Sequence, residues 1–172
     1  AGCFMSNSDK VRHLSIAAWT LARLGMADQA HEHIQVLERL DDPFSMHHVL
    51  DQLVVCRFLH LLPPHSVEHW IARGEVILAT RQIGALVEKD YYHLAAGNLL
   101  SRMGRPGEGI NQLEVVINGG ALSAMPLRFR ARAFADCGEA WRLLGEAPLA
   151  SRYLAKAEAI QRQNRFVAEL AD

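Results

Sequence analysis

Long apolar runs are missing from this chain. The greasiest stretch, Val49 to Leu62, is broken by Asp51, Gln52, Arg57 and His60, so nothing supplies the ~20 consecutive apolar residues of a membrane-spanning helix. Cysteine is scarce too. Cys3, Cys56 and Cys137 are far apart and odd in number, with no Cys-x-x-Cys pair. That argues against a disulfide framework or a four-cysteine zinc site and leaves Cys56 and Cys137 as small buried residues of a reducing compartment. A basic excess is absent as well: 18 basic against 19 acidic side chains give a formal net charge of −1, unlike a nucleic-acid-binding domain. Proline and phenylalanine number only six each, so helix breakers and strand-favouring aromatics are both few.

What is present is helical periodicity. Half of the 172 residues are apolar and 22% are charged, as in a globular chain with a core. Val11, Leu14, Ile16, Ala17, Ala18, Leu21 and Leu24 make a first stripe that Gly25 stops, and Ala30, Ile34 and Leu37 make a second that Asp41-Asp42-Pro43 ends. A third helix is expected from Phe44 to Leu62, broken by Pro63-Pro64, and a fourth from His65 to Gln82 with Gly84 as its cap. The remaining four run from Ala85 to Met103, Pro106 to Ile117, Pro126 to Leu144 and Ala147 to Leu170. A short loop, Ala121 to Met125, precedes the seventh. The short β-branched stretches Leu53–Cys56 and Val115–Ile117 sit inside helical periodicity and are not read as strands.

The punctuation recurs. Gly25, Gly104 and Gly145 are separated by 79 and 41 residues, close to multiples of one period of about 40. Seven residues before each glycine stands a small residue (Ala18, Gly97, Gly138), and five after it another (Ala30, Gly109, Ala150). Small residues at both places let two helices cross closely, while larger neighbours fill the gaps. The expected architecture is all-α, with four hairpins at about 9–42, 43–84, 85–120 and 121–172 in one domain.

This spacing resembles the tetratricopeptide repeat, with its small residue, turn glycine and second small residue. Hairpins one, three and four match. Hairpin two fits with Cys56 and Ala72 in the small positions and extra residues in its turn. The resemblance implies a right-handed α-α superhelix whose first helices line a concave face. Carried over residue by residue, the groove positions are Arg12, Trp19, Arg57, Tyr91, Asn98, Arg132, Glu139 and Arg142, a mixture of cations, aromatics and an amide that suits peptide recognition.

A second resemblance covers Leu14 to Ile160. Leu24-Gly25-Met26-Ala27-Asp28-Gln29-Ala30, Pro43-Phe44-Ser45, Gly104-Arg105-Pro106-Gly107-Glu108-Gly109-Ile110, Gly120-Ala121 through Pro126 and Gly138-Glu139-Ala140 look like the helical-repeat region of large bacterial ATPase-containing signalling regulators. Those carry a nucleotide cyclase or a winged-helix output domain. The resemblance implies that this is a fragment of a larger cytoplasmic protein: a non-catalytic regulatory or protein-interaction domain. Its partners would be proteins or peptides, other domains of the parent chain among them, with no direct nucleic-acid or membrane contact and no cofactor. No Gly-x4-Gly-Lys-Ser/Thr phosphate loop occurs in the segment.

Two alternatives stand beside this reading. One is a free-standing adaptor that binds a peptide or partner helix. The other is a zinc-dependent hydrolase, supported only by His65-Ser66-Val67-Glu68-His69, which puts two imidazoles one helical turn apart with a carboxylate beside them. The pairs His31/His33 and His47/His48 lack that spacing. Arg128, Arg130 and Arg132 read as a solvated helix face with Arg128 and Arg132 on one side. Ile160, Phe166, Val167 and Leu170 form a stripe that either caps the core or makes a homodimer or interdomain contact.

Overall fold

The computed structural model describes residues 7–40, 46–58, 64–80 and 86–169. Among them the chain is helical throughout, with no strand: α1 Asn7–Arg23, α2 Ala27–Glu38, α3 Met46–Phe58, α4 Pro64–Thr80, α5 Leu86–Arg102, α6 Pro106–Ile117, α7 Leu127–Leu143 and α8 Ala147–Glu169. The expected loop after α6 contains one 3-10 turn, Leu122–Ala124, because Ala124 and Met125 donate back to Ala121 and Leu122. Pro126 is the N-cap of α7 rather than part of its first turn, its ψ of 143° still extended. Pro64 opens α4, where the missing N–H costs nothing. The expected stops at Asp41-Asp42-Pro43, Pro63 and Gly84 lie outside the described residues. None of the described helices is long and apolar enough to cross a membrane.

The three turn glycines adopt one conformation, with φ of +77°, +80° and +82° at Gly25, Gly104 and Gly145. Each closes the same cap. The residue after the glycine donates to the carbonyl five back (Met26 to Leu21, 2.9 Å; Arg105 to Leu100, 3.0 Å; Glu146 to Trp141, 3.0 Å), and the glycine donates three back. This pair of hydrogen bonds satisfies carbonyls that the helix end leaves open, and the left-handed φ it demands is cheap only without a Cβ. The next helix then starts alike each time: the N–H groups of Ala30, Gly109 and Ala150 donate to Met26, Arg105 and Glu146.

The chain forms two compact units, Ala1–Ile83 and Gly84–Asp172. In the first, α1 packs on α2 and α3, and α4 packs on α3 and α2. Its core holds Val11, Ala18, Ile34, Leu37, Val49, Leu53, Cys56, Val67 and Trp70, all at most 2% exposed. One buried polar tie crosses it, the Gln52 amide donating to Ser15 Oγ at 2.9 Å between α3 and α1. In the second unit α5 pairs with α6 and α7 with α8, while α7 also lies against both α5 and α6. Leu94, Leu113, Val116, Met125, Ala133 and Cys137 form its core, with Tyr91, Phe129, Trp141 and Tyr153 packed around them.

Close approach explains the small residues. A Cβ on Gly97 would stand 2.6 Å from Leu113 Cγ, and one on Gly138 would stand 2.8 Å from Leu154 Cγ and 3.1 Å from the Ala150 carbonyl. Both lie below normal contact distance, so the crossings α5–α6 and α7–α8 are set by the absence of side chains there.

Candidate functional site

The first helices of the third and fourth hairpins, α5 and α7, lie side by side, and a polar group bridges them. Asp136 on α7 accepts a hydrogen bond from Arg132 Nε at 3.2 Å, one turn away on the same helix. From α5 the Asn98 amide donates to the same carboxylate, and Arg102 adds its charge. The Asp136 side chain is only 13% exposed. Burial holds its carboxyl above the usual aspartate range, and Arg132, Asn98 and Arg102 pull the other way. The Asn98 Oδ1 is buried with no donor among the described residues.

Two of the expected groove residues, Asn98 and Arg132, are therefore brought together, by a residue the sequence reading did not single out. Asp136 had a signal, standing at i+4 from Arg132 and on the side of α7 that faces α5. Tyr91 behaves differently. It is half-buried and meets Phe129 edge-on, ring centroids 4.8 Å apart at 74°, so much of it serves the core. Glu139 and Arg142 form a closed pair: Arg142 donates from Nε (2.8 Å) and Nη2 (2.5 Å) to the two carboxylate oxygens. That bonding holds the Glu139 carboxyl below its usual range. The pair is exposed and self-neutralised, so its contribution to stability is small.

In the first unit, Arg12 and Trp19 are exposed on α1, and Arg57 is half-buried on α3. The Arg23 guanidinium stacks on the Trp19 ring, 4.7 Å from its centroid.

His65 and Glu68 are exposed on α4, while His69 is half-buried with its ring edge-on to Trp70 at 5.2 Å. Burial first, then the nearby Arg73, lowers the His69 pKa, with Glu38 opposing. Among the described residues no three His, Cys, Asp or Glu side chains gather as a metal site. His33 donates to the Gln29 carbonyl and His31 meets Gln35, each within its own helix. The side chains of His47, Phe166 and Val167 are not described, and Leu170 of the terminal stripe lies outside the described residues. Arg128 lies over the Phe129 ring at 4.9 Å. Cys56 and Cys137 are buried free thiols. Burial, with Glu114 nearby, pushes the Cys137 thiol up to about 12, although Tyr153 and the Trp141 indole lie close to it.

Comparison of the chain with protein-family models, with curated proteins and with solved structures gives no match.

Proposed function

We propose that this chain is a non-catalytic protein-interaction module of tetratricopeptide-type hairpins, serving as the regulatory region of a larger bacterial signalling or transcriptional regulator. The observation that carries the reading is recurrence. One glycine cap and one N–H to carbonyl closure are used at Gly25, Gly104 and Gly145, and a close small-residue crossing accompanies the hairpins turned at Gly104 and Gly145. Repeats of this kind bury one another's faces and stack into a right-handed superhelix, which is part of the proposal. Their first helices then present rigid, mixed polar and aromatic surfaces, a form suited to holding a peptide or a helix of a partner. The α5–α7 bridge of Asn98, Arg102, Arg132 and Asp136 is such a surface in the second unit. Buried thiols at Cys56 and Cys137 fit a reducing, cytoplasmic setting.

The parts of the parent polypeptide on either side of this segment, supplied in trans, test the proposal. Binding should weaken at least about tenfold in the Arg132→Ala, Arg142→Ala double variant, whose fold is verified by circular dichroism because Arg132 also partners the buried Asp136 carboxyl. Unchanged binding in a folded double variant would remove α7 from the recognition surface.

A further inference from the structure

One face of α1 differs from its counterparts. Arg12, Ile16, Trp19 and Arg23 stand at i, i+4, i+7 and i+11, so they share one side of the helix. All four are exposed, Ile16 at 56% and Trp19 at 39%. The adjacent side, about 100° round the helix, with Val11, Ser15, Ala18 and Ala22, is buried. The helix therefore cannot turn Ile16 and Trp19 inward without exposing that core face.

The charges are also unlike those of α7. Arg12 stands six residues before Ala18, as Arg132 stands six before Gly138. Arg132 is neutralised in place by Asp136, and Arg142 by Glu139. Among the described residues neither Arg12 nor Arg23 has a carboxylate partner. Arg23 instead lies over the Trp19 ring, 4.7 Å from its centroid. An exposed isoleucine–tryptophan pair bracketed by two arginines that have no carboxylate partner among the described residues is complementary to apolar side chains bracketed by carboxylates. Tryptophan and arginine are also the residue types that dominate binding energy at interfaces.

We propose that this α1 face docks an acidic amphipathic peptide segment of a partner protein. The proposal rests on the interaction-module reading and names the chemistry of its ligand. Eleven residues at ~1.5 Å each place the two arginines about 16 Å apart. The segment's acidic groups are therefore separated by about five residues if it is extended, at ~3.3 Å each, or by about three turns if it is helical. Its intervening apolar side chains cover Ile16 and Trp19. The carboxylates pair with Arg12 and Arg23 at the rim, so association is salt-sensitive.

Selection from a random-peptide display library against the whole chain tests this without presupposing a sequence. Selected peptides should be enriched in Asp and Glu flanking apolar residues. Their binding should fall at least about tenfold in Trp19→Ala and in the Arg12→Glu, Arg23→Glu double variant, and should weaken from about 0.05 to 0.5 M salt. Tryptophan emission should shift on binding, since Trp19 is exposed while Trp70 is fully buried, and Trp19→Phe should abolish that shift. Circular dichroism melting of each variant verifies the fold. Selected peptides without acidic enrichment, or bound equally by the α1 variants, would overturn the proposal. Peptides released by Asn98→Ala or Arg132→Ala instead would overturn the α1 assignment and leave the module reading standing; a library with no binder would count against both. Trp19-dependent binding to phosphatidylserine vesicles without peptide binding, or a dimer in sedimentation that Trp19→Ala dissolves, would also overturn it in favour of another occupant.

Discussion

Gly97 and Gly109 face each other across the α5–α6 crossing so closely that neither position has room for a methyl group. A Cβ on Gly97 would lie 2.9 Å from the Gly109 carbonyl oxygen, and one on Gly109 would lie 2.6 Å from the Gly97 carbonyl oxygen and against Ser101 Oγ. Ser101 itself is committed, donating to the Gly97 carbonyl at 2.9 Å. The obstacle is largely backbone, which moves only if the helices part. Gly97→Ala and Gly109→Ala should each destabilise the fold by about 1–3 kcal/mol, the cost of overpacking, measured by denaturant unfolding. Gly107→Ala is the control. It sits in the first turns of α6 with nothing within 4 Å and should be neutral or stabilising by up to about 1 kcal/mol.

A different mechanism acts at the turns. Gly104 has open space around it but a φ of +80°. Gly104→Ala should therefore cost about 1–2 kcal/mol through backbone conformation alone. Gly104→Asn, whose side chain tolerates that region, should cost less. Equal losses for the two substitutions in thermal unfolding would show that the left-handed cap is not the source.

Asp136 gives a pH dependence of opposite sign to most carboxylates. Burial makes it harder to ionise in the folded chain than in the unfolded one. Its protonated form thus favours the fold: the contribution is complete below the ordinary aspartate value of 3.8 and is lost as pH rises through the raised folded value. Asp90, also raised mainly by burial, acts in the same direction. Asp136→Asn should melt at or above the temperature of the parent chain near pH 7, with the difference shrinking as pH falls toward about 4. Glu108 and Glu139 are lowered by their bonds to Arg105 and Arg142, so they lose stabilisation as pH falls below their ordinary value of 4.5. Both are exposed and screened, and raised salt should suppress their part of the profile first. A melting difference for Asp136→Asn that grows on acidification would contradict the buried-carboxyl account.

The thiols report on the cores of both units. Cys56 and Cys137 are fully buried, and the Cys137 thiol stays protonated at neutral pH. In a Cys3→Ser variant, Ellman's reagent should titrate almost no thiol in the native chain and two per chain after denaturation. Rapid native labelling of either would mean that its unit opens readily.

The helices and their turns were legible because glycine and proline act locally. Gly25, Gly104 and Gly145 stop helices wherever they stand, and the small residues seven before and five after them register the crossings. The site was less legible, because a groove position names only a direction. Tyr91 sits at such a position yet packs on Phe129, since α7 comes close enough to cover it. Glu139 and Arg142 quench each other through a three-residue spacing that a repeat register does not weigh. Asp136 went unseen because its importance comes from Asn98 and Arg102, more than thirty residues earlier in sequence and adjacent only after α5 and α7 pack. The exposed Ile16 on α1 lies in an otherwise ordinary apolar stripe, and only burial separates it from its neighbours Ser15 and Ala18.

The regulator reading is tested most directly by the intact mass and sequence of the native polypeptide that carries this segment, isolated from its source and identified by mass spectrometry. The proposal predicts a chain several-fold heavier than the 19.2 kDa of this segment, with a phosphate-loop ATPase motif on its N-terminal side. A native polypeptide of the segment's own mass, with no such motif, would contradict it and leave a free-standing adaptor in its place.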